Sequence, residues 1–356
     1  MTEQQARQAA QSIHTFKGSN MKAVGIKAHL PIEHPESFLD LELPIPVATG
    51  RDLLIRVEAI SVNPVDFKQR KARPGVELPE PKILGWDGAG VVEAVGDQVS
   101  LFKVGDPVYW SGSIVHPGSN AQFQLVDERI VALKPESLGF ADAAALPLTA
   151  LTAWEALHDR LRLSEEHQGQ SILIIGGAGG VGSIAIQMAK NAGLQVIATA
   201  SRPETRAWVK EMGADVVIDH SKPLDEELAR VGIPEVDFIF NTVNTVQYWD
   251  VSVKIIRPQG GIVCINGTGE KLALGALFGK SVSFHWELMF TRSTHQTPDM
   301  IEQHHILTSV AREIDAGTLR STVQENLGTI HAEHLKQAHA KLETGRTIGK
   351  IVLEGW

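Results

Sequence analysis

The chain has 356 residues, of which 43% are hydrophobic and 21% charged, and this composition is typical of a folded globular protein rather than a disordered chain. Its 42 acidic and 33 basic residues give a formal net charge of −9, which argues against nucleic acid or an anionic membrane surface as a partner. The single cysteine, Cys264, excludes an internal disulfide and a cysteine-rich zinc lobe, and it favours a reducing, cytoplasmic setting.

The length favours two domains, and the first of them is predicted to be rich in β-structure. Residues 1–20 are polar, carry no apolar segment of a secretory signal, and are interpreted as a polar leader. Short apolar segments follow, punctuated by Gly and Pro, at Met21–Lys27, Leu53–Ile60, Gly90–Val95 and Asp106–Trp110. This pattern predicts a compact antiparallel region. No apolar run in the sequence approaches the ~20 residues of a membrane span.

The composition changes near residue 140. Phe140–Leu161 is rich in Ala and Leu and predicts helix, which Pro147 opens or kinks. A series of alternating strands and helices follows and predicts a doubly wound parallel sheet. Its predicted strands are Ser171–Ile175, Leu194–Ala200, Asp215–Ile218, Val236–Phe240 and Gly261–Ile265. Polar helical segments then return, and Lys350–Leu353 predicts a last strand.

A glycine-rich turn lies between the first strand of this series and the next helix. Its pattern is Gly177-x-Gly179-x-x-Gly182. In this context the first glycine makes the tight turn, the second admits a pyrophosphate, and the third packs helix on strand. The helix N-terminus adds free N–H groups and a positive dipole end. The predicted dinucleotide-binding residues of the turn are Gly177, Ala178, Gly179, Gly180, Val181 and Gly182.

The end of the second strand of the series indicates which dinucleotide binds. NAD enzymes usually place Asp or Glu there for the ribose 2′-hydroxyl. This chain instead has Ser201 and Arg202, with Arg206 one helical turn later. Arginine forks match phosphate geometry, so the pattern favours the 2′-phosphate of NADPH. The alternative is that both arginines are ordinary solvated residues at a helix start.

Five further motifs carry a family resemblance. They are Ser61–Asp66 (SVNPVD), Gly85–Gly90 (GWDGAG), Gly105–Val108 (GDPV), Leu146–Thr152 (LPLTALT) and Gly349–Leu353 (GKIVL). With the glycine-rich turn, they make the chain resemble the medium-chain dehydrogenase/reductase superfamily from Met21 to Leu353, and most of all its zinc-independent quinone oxidoreductase branch. The resemblance implies an α/β fold with two domains. A GroES-like β-rich catalytic domain would span 21–148 and 297–356, and a Rossmann dinucleotide-binding domain would span 149–296.

The resemblance also bears on metal binding. Where zinc alcohol dehydrogenases of the superfamily carry a Cys, a His and a second Cys as ligands, this chain has Asn63, Trp86 and, nearby, Leu148. An indole and an isobutyl group cannot ligate Zn²⁺, and a catalytic zinc site usually has three protein ligands. Cys264 lies in an apolar segment and is predicted to be inert core. We therefore expect no metal.

Hydride transfer to an electron-poor acceptor remains feasible without a metal. The resemblance implies that Asn63 and Thr152 lie near the nicotinamide, with the Asn63 amide as a hydrogen-bond donor; the alternative for Asn63 is a loop cap before Pro64. Lys68 stands where related quinone reductases often have tyrosine; it either stabilises an enolate, holds a phosphate or lies on the surface. Asn241, Asn266 and Gly267 are predicted cofactor contacts because they lie at the carboxyl ends of predicted strands, and His220 is predicted near the adenine. The resemblance adds Arg346 and Lys350 as tail residues that reach back toward the cofactor.

The segment Ser281–Arg292 is unusually aromatic. Its place in the family predicts that it lies near the cleft between the domains and helps to line a flat, apolar acceptor pocket. The predicted pocket residues are Trp86, Trp110, Phe284, Trp286 and Phe290. The alternative is that the segment belongs to the sheet core or to the interface of a homodimer, which the family often forms through this edge.

Taken together, the sequence predicts an NADPH-dependent, zinc-independent oxidoreductase that delivers hydride to a quinone or an α,β-unsaturated carbonyl. Its expected partners are a small-molecule electron acceptor and a second copy of the chain. Two alternatives stay open. One is a zinc-type alcohol dehydrogenase with an atypical site, and the other is a non-catalytic NADPH-binding protein such as a redox sensor.

Overall fold

The structure, a computed structural model, describes residues 18–356, and these divide into two compact units. Unit 1 comprises the residues up to Leu148 together with Phe290–Trp356, and unit 2 comprises Thr149–Met289. The chain returns to unit 1 at Phe290 rather than at residue 297, because the buried Phe290 ring packs edge-on against Trp86, with ring centroids 6.2 Å apart. The polar leader predicted at 1–20 lies outside the described residues up to position 17, and Asn20 already begins a strand.

Strands and helices follow in chain order. The strands are β1 Asn20–Ala28, β2 Leu39–Pro44, β3 Asp52–Ser61, β4 Glu77–Ile83, β5 Asp87–Val95, β6 Pro107–Ser111, β7 Phe123–Asp127, β8 Val131–Leu133, β9 Ser171–Ile175, β10 Gln195–Thr199, β11 Val216–Ile218, β12 Val236–Asn241, β13 Ile256–Cys264, β14 Ser283–Trp286, β15 Val323–Asn326 and β16 Lys350–Glu354. The helices are α1 Pro64–Arg70, α2 Phe140–Ala144, α3 Pro147–Trp154, α4 Gly180–Asn191, α5 Pro203–Glu211, α6 Leu224–Arg230, α7 Thr245–Ile255, α8 Phe290–His295, α9 Glu302–Asp315 and α10 Ala332–Glu343.

Unit 1 is built mainly from antiparallel strands. Among the described residues, one sheet has the order β2-β1-β4, and a larger sheet follows the path β15-β16-β3-β5-β6-β8, with β7 also paired to β3. Only the β15–β16 pair in these sheets is parallel. The predicted β-rich antiparallel domain is therefore confirmed.

The central strand of unit 1, β3, sets the position of the polar residues described below. Leu53, Ile55 and Ile60 have no exposed surface, as expected for an apolar strand covered on both faces. At the end of β3, Ser61 pairs with Asp87 at the start of β5 and with Val352 of β16. Three strands that are far apart in sequence thus bring their polar ends to one place.

Unit 2 contains a parallel sheet with the order β11-β10-β9-β12-β13-β14. The chain enters at β9 in the middle, builds outward to one edge, and then crosses to build the other half from β12. This order is that of the doubly wound dinucleotide fold, whose ligands bind where the direction of winding reverses. The predicted α/β fold is confirmed, and the reversal places the carboxyl ends of β9 and β12 side by side.

The start of α3 has a local cause in the sequence. Pro147 opens α3, as predicted, since proline suits the first turn of a helix and is excluded from its interior.

A π-helical turn, Glu155–Arg160, follows α3 directly. Its first residue, Glu155, is fully buried beside the equally buried Glu287 at the end of β14. None of the helices in residues 18–356 has the length and apolar character needed to cross a membrane.

Candidate active site

The tight turn of the glycine-rich segment of unit 2 lies at Gly176, one residue before the position that the sequence predicts. Gly177, which was predicted to make the turn, has no positive φ; a Cβ atom on it would lie 2.9 Å from the Cβ of Ala198, so close packing favours glycine there instead. Gly176 ends β9 in the left-handed region with φ of 86°, and its N–H donates to Thr199 Oγ1 at 3.0 Å. A Cβ atom on Gly182 would lie 2.2 Å from the Gly176 carbonyl oxygen, so the start of α4 can approach the turn only if this residue is glycine.

The second glycine of the motif, Gly179, is not tightly enclosed by protein atoms. A Cβ atom on Gly179 would meet only the Gly176 carbonyl oxygen, at 3.6 Å, so packing within the protein does not require glycine there. The space above Gly179 is open, and α4 begins at the following residue. Open space over a helix N-terminus fits the pyrophosphate of a dinucleotide, because backbone N–H groups can then approach the phosphate oxygens closely.

Three predicted residues meet beyond the ends of β10 and β11. Ser201 Oγ lies 3.3 Å from His220 Nε2, and Arg202 Nη1 lies 3.1 Å from Glu204 Oε1. Partial burial lowers the pKa of His220, the charge of Asp219 raises it, and the nearby positive charge of Arg202 lowers it further. A hydroxyl, an imidazole and a guanidinium here suit a phosphate better than a ribose hydroxyl.

Arg206, the other arginine predicted to hold the phosphate, makes structural contacts with the backbone. Its guanidinium donates to the carbonyl oxygens of Ala200 at 3.1 Å and Val217 at 3.2 Å. These contacts tie α5 to the ends of β10 and β11. Arg206 therefore supports the backbone on which Ser201 and Arg202 stand.

A cleft of about 350 Å³ lies beyond the carboxyl ends of β12 and β13. Its walls are Val243, Asn244, Thr245, Val246, Asn266, Gly267, Thr268 and Glu270. Asn266 and Gly267, both predicted cofactor contacts, thus face this space. Thr245, which the sequence interpretation missed, donates from Oγ1 to the Asn266 carbonyl oxygen at 2.6 Å. The sequence feature that could have identified Thr245 is a hydroxyl residue shortly after the end of a predicted strand.

Asn241, the other predicted cofactor contact of β12, shapes the loop that borders this cleft. The side chain is buried, its Oδ1 accepts the Val243 N–H at 3.0 Å, and its Nδ2 donates to the Asn244 carbonyl oxygen at 3.2 Å. Asn241 therefore holds the turn between β12 and α7 rather than exposing its amide to a ligand.

Unit 1 contains a buried polar cluster of five side chains, which we call the Asp87 cluster: Ser61, Asn63, Asp66, Asp87 and Lys350. Asp87 Oδ2 accepts hydrogen bonds from Ser61 Oγ at 2.7 Å, from Asn63 Nδ2 at 2.7 Å, and from Lys350 Nζ at 3.2 Å. Asp87 Oδ1 accepts the Leu148 N–H at 2.8 Å. One carboxylate thus joins residues from β3, β5, β16 and the start of α3.

Lys350 contributes the positive charge of the Asp87 cluster. Besides Asp87, its ammonium donates to the Val62 carbonyl oxygen at 2.9 Å and to Asn63 Oδ1 at 2.5 Å. Burial lowers the pKa of Lys350, and the Asp87 carboxylate raises it in part. All three N–H donors of the ammonium are used inside unit 1, so the predicted contact of Lys350 with the cofactor would require one of these hydrogen bonds to be given up.

Asp66 lies at the edge of the same cluster, on α1. Its Oδ2 accepts the Asn63 N–H at 2.8 Å, which fixes the first turn of the helix. Complete burial raises the pKa of Asp66 to about 7, and the N–H of Asn63 and the charge of Lys350 offset part of this rise. Asp66 Oδ1 has no hydrogen-bond partner among residues 18–356.

The positions at which zinc enzymes of the superfamily carry ligands do not form a zinc site. Asn63 is engaged by Asp87 and Lys350, and the Trp86 indole is fully buried. In the described part of the chain, no three His, Cys, Asp or Glu side chains are grouped so that they could hold a metal ion. An ammonium in the middle of the cluster repels a cation, so these residues do not fit Zn²⁺.

The lone cysteine lies in the core of unit 2, next to Thr245. Cys264 ends β13, is buried, and forms no disulfide. Burial raises the pKa of its thiol to about 11, which leaves almost no thiolate at neutral pH. Its predicted place in the core is confirmed.

The predicted aromatic pocket is divided between the two units. Trp86 and Trp110 belong to unit 1 and are fully buried, and Trp110 Nε1 donates to Gln124 Oε1 at 2.8 Å. Neither indole offers a surface to a ligand here, because both fill the core of unit 1. Phe284 and Trp286 lie on β14 of unit 2, edge to face at 5.0 Å, and Trp286 is 44% exposed.

Three predicted residues remain, and they lie on two helices and in a turn. Thr152 is buried in α3 of unit 2. Lys68 lies on the exposed side of α1, and Arg346 lies in the exposed turn that precedes β16. Their predicted roles in catalysis and cofactor binding stay predictions.

Comparison with known proteins gives two family matches. Residues 180–304 match the zinc-binding dehydrogenase family, and residues 49–145 match the alcohol dehydrogenase GroES-like domain. A zinc-type alcohol dehydrogenase-like protein of Staphylococcus aureus is 43% identical over 94% of this chain and 99% of the relative. A 2-methylene-furan-3-one reductase of Solanum lycopersicum is 33% identical over 88% of this chain and 74% of the relative.

Solved structures agree with these matches over most of the chain. A candidate zinc-dependent alcohol dehydrogenase of Rhizobium etli has a TM-score of 0.90 and 49% identity, covering 95% of this chain and 99% of that one. The quinone oxidoreductase of Coxiella burnetii has a TM-score of 0.78 and 28% identity, covering 95% of this chain and 100% of that one.

Proposed function

The chain belongs to the medium-chain dehydrogenase/reductase superfamily, among the zinc-type alcohol dehydrogenase-like proteins, and from this premise we propose that it is an NADPH-dependent reductase that works without zinc. Its acceptor is proposed to be a quinone or an α,β-unsaturated carbonyl. The observation that carries the proposal is the Asp87 cluster, in which an internal ammonium contacts Asn63, the residue at the position of one zinc ligand.

The proposed chemistry follows from what these residues can and cannot do. Bound NADPH supplies a hydride. An alcohol would need its oxygen activated by a strong Lewis acid, and the Asp87 cluster is not a zinc-ligand set. A conjugated carbonyl or quinone accepts hydride more readily and needs only hydrogen bonds to the oxygen on which negative charge develops. The Asn63 amide has two N–H donors, and one of them is used by Asp87.

The preference for NADPH is supported by the residues beyond β10. Ser201, Arg202 and His220 lie together beyond the strand end at which NAD enzymes place a carboxylate, and a 2′-phosphate would compete with Glu204 for the Arg202 guanidinium and accept its hydrogen bonds. The acceptor class is supported by the names of two proteins that this chain resembles, the 2-methylene-furan-3-one reductase and the quinone oxidoreductase.

An acceptor screen tests the proposal. Purified protein is mixed with NADPH and, in separate reactions, with benzoquinones, conjugated enones and matched saturated ketones, with and without a strong chelator. We expect NADPH oxidation, followed at 340 nm, with quinones or enones and none with the saturated ketones. The chelator should leave the rate unchanged, since no residue of the proposed mechanism depends on a metal.

The two alternatives give different outcomes in the same screen. Alcohol oxidation that the chelator abolishes and Zn²⁺ restores would support a zinc alcohol dehydrogenase with an atypical site and overturn the proposal. NADPH binding, seen as quenching of tryptophan fluorescence, without turnover of any acceptor would support a non-catalytic binding protein. We further propose a cytoplasmic location, which the free, buried Cys264 supports.

A further inference from the structure

Lys350 has an unusual place for a residue that the family pattern assigns to the cofactor. Its side chain is 3% exposed, and its three donors are used by Val62, Asn63 and Asp87. A lysine bound to phosphate would keep at least one N–H for the ligand. Full use of the donors inside unit 1 therefore calls for another role.

The contact between Lys350 and Asn63 fixes the orientation of the Asn63 amide. An ammonium has no acceptor, so the atom of Asn63 that faces it has to be the oxygen. Nδ2 then faces Asp87, whose carboxylate accepts one of its hydrogens at 2.7 Å. Both ends of the amide are thus determined by charged partners, and a flipped amide would place N–H against N–H and oxygen against oxygen.

The same contact changes the strength of the amide as a donor. A positive charge on the Asn63 oxygen draws electron density from the amide nitrogen, and hydrogen bonds polarise one another most in a buried site. The second N–H of Nδ2 is therefore a stronger donor than the N–H of a solvated asparagine. The cluster is buried, since Asn63, Asp87 and Lys350 are each at most 3% exposed, so water screens little of this effect.

We propose that Lys350 is a positioning residue that orients and polarises the Asn63 amide, so that an internal ammonium supplies, through one hydrogen bond, the positive charge that a metal supplies in the zinc enzymes. Lys350 contacts neither cofactor nor acceptor and acts through Asn63. This inference rests on the proposed function insofar as it makes Asn63 the donor to the acceptor oxygen.

A double-mutant cycle tests whether Lys350 acts through Asn63. The variants are Asn63→Ala, Lys350→Met and the two combined, with Lys134→Met as the matched control. Lys134 is also a lysine of unit 1 that donates to backbone carbonyl oxygens, those of Pro135 and Leu138, but it lies outside the Asp87 cluster. The readouts are kcat, the acceptor KM and the NADPH Kd.

We expect Lys350→Met to lower kcat between about 10- and 100-fold, the range found when a partner of an active-site group is removed. The NADPH Kd should change less than about twofold, since no donor of Lys350 is left for the cofactor. In the Asn63→Ala background, Lys350→Met should cost no further activity, because its effect is transmitted by the missing amide. Independent, multiplying effects, or a raised NADPH Kd with kcat unchanged, would overturn the proposal.

Two further experiments distinguish a loss of folding from a loss of the effect of Lys350 on Asn63. Lys350→Met leaves the Asp87 charge buried without its partner, so the neutral pair Lys350→Met with Asp87→Asn is prepared in parallel to preserve folding. The side-chain amide resonances of Asn63 are compared by NMR in the single variant Asp87→Asn and in this pair, so that the two proteins differ only at Lys350. A clear shift is expected, and unchanged resonances would contradict the polarisation. If wild type turns over no acceptor, the proposed function fails, and the NMR comparison still decides the role of Lys350.

Discussion

The Asp87 carboxylate accepts hydrogen bonds from four groups that lie between 24 and 263 residues away in the sequence. Such a carboxylate is stable in the core because Lys350 balances its charge and the other donors occupy its lone pairs. The sequence analysis identified the Gly-Trp-Asp motif but did not predict that Asp87 joins these groups. An acidic residue at the head of an apolar, glycine-containing strand was the local signal available.

At the same scale, residues that a short motif places together were easier to locate than residues that meet through long-range contacts. Ser201 and Arg202 follow a strand at a position that a short motif defines, and the structure places both near His220. Lys350 was assigned to the cofactor by resemblance, whereas the structure places it beside Asn63, 287 residues earlier in the chain. Residues within one short motif lie close together in any fold, so a sequence predicts their proximity. Contacts between residues far apart in the chain depend on strand register, which a sequence does not show.

The role of Arg202 in cofactor choice can be tested by substitution. Arg202→Ala removes a guanidinium that would pair with the 2′-phosphate, and a charged hydrogen bond of this kind is worth about 1.5–3 kcal/mol, or roughly tenfold or more in Kd. We expect weaker NADPH binding and unchanged NADH binding in fluorescence titrations. Lys210→Ala, an exposed change on the same helix, serves as the control. An unaltered preference for NADPH would remove Arg202 from the argument.

At the scale of elements, five strands of unit 2 were predicted with ends within five residues of those observed, whereas β14 of the same unit and several strands of unit 1 were not predicted. The strand β4 contains Pro79 and Pro81, which argue against a strand in a sequence and are tolerated here at the edge of a sheet. The strand β14 has only four residues and belongs to an aromatic segment with no clear alternation. Edge strands give weak periodic signals, and their pairing depends on neighbours that a sequence does not show.

The π-helical turn after α3 was not predicted, and it places two carboxyl groups against each other. Glu155 and Glu287 are both buried, and Arg160 Nε donates to Glu287 Oε2 at 2.7 Å. Burial raises the pKa of Glu287 to about 8, the neighbouring Glu155 raises it as well, and Arg160 offsets part of the rise. A shared proton between the two carboxyl groups is the arrangement that avoids two adjacent negative charges in the core.

This pair predicts how stability depends on pH. Between the ordinary pKa of 4.5 and about 8, folded protein keeps a proton on Glu287 that unfolded protein releases, so stability falls as the pH rises through this range. The isosteric Glu287→Gln cannot ionise and should remove most of that fall. Tm values from calorimetry between pH 5 and 9 measure it, with the exposed Glu166→Gln as control. Parallel curves for wild type and Glu287→Gln would contradict the shared proton.

At the scale of the molecule, unit 2 carries an apolar surface along the free edge of its sheet. Leu274, Phe278, Trp286 and Leu288 are between 44% and 88% exposed, and β14 lies at the end of the strand order. An unpaired edge with apolar neighbours is a site for pairing with another strand, and identical chains pair by two-fold symmetry. We propose that a second copy of the chain covers this edge.

Sedimentation measures this assembly directly. Wild-type protein should sediment as a species of twice the mass of one chain. Phe278→Ser, which removes the side chain with the largest exposed fraction, should shift the population toward single chains at low concentration. Val115→Ser, a change at an exposed apolar residue of unit 1, should not. A wild-type protein that sediments as a single chain at all concentrations would exclude the dimer.

The discontinuity of unit 1 has a consequence for synthesis. On a ribosome, every strand from β9 to β14 is made before β16 is begun, so the parallel sheet of unit 2 can form from contiguous chain. Asn63 and Asp87 have by then been synthesised without the ammonium that balances them, and β3 lacks its neighbour β16. Translation therefore delivers the nucleotide-binding unit first, and Lys350 completes a sheet and a charge balance in one late step.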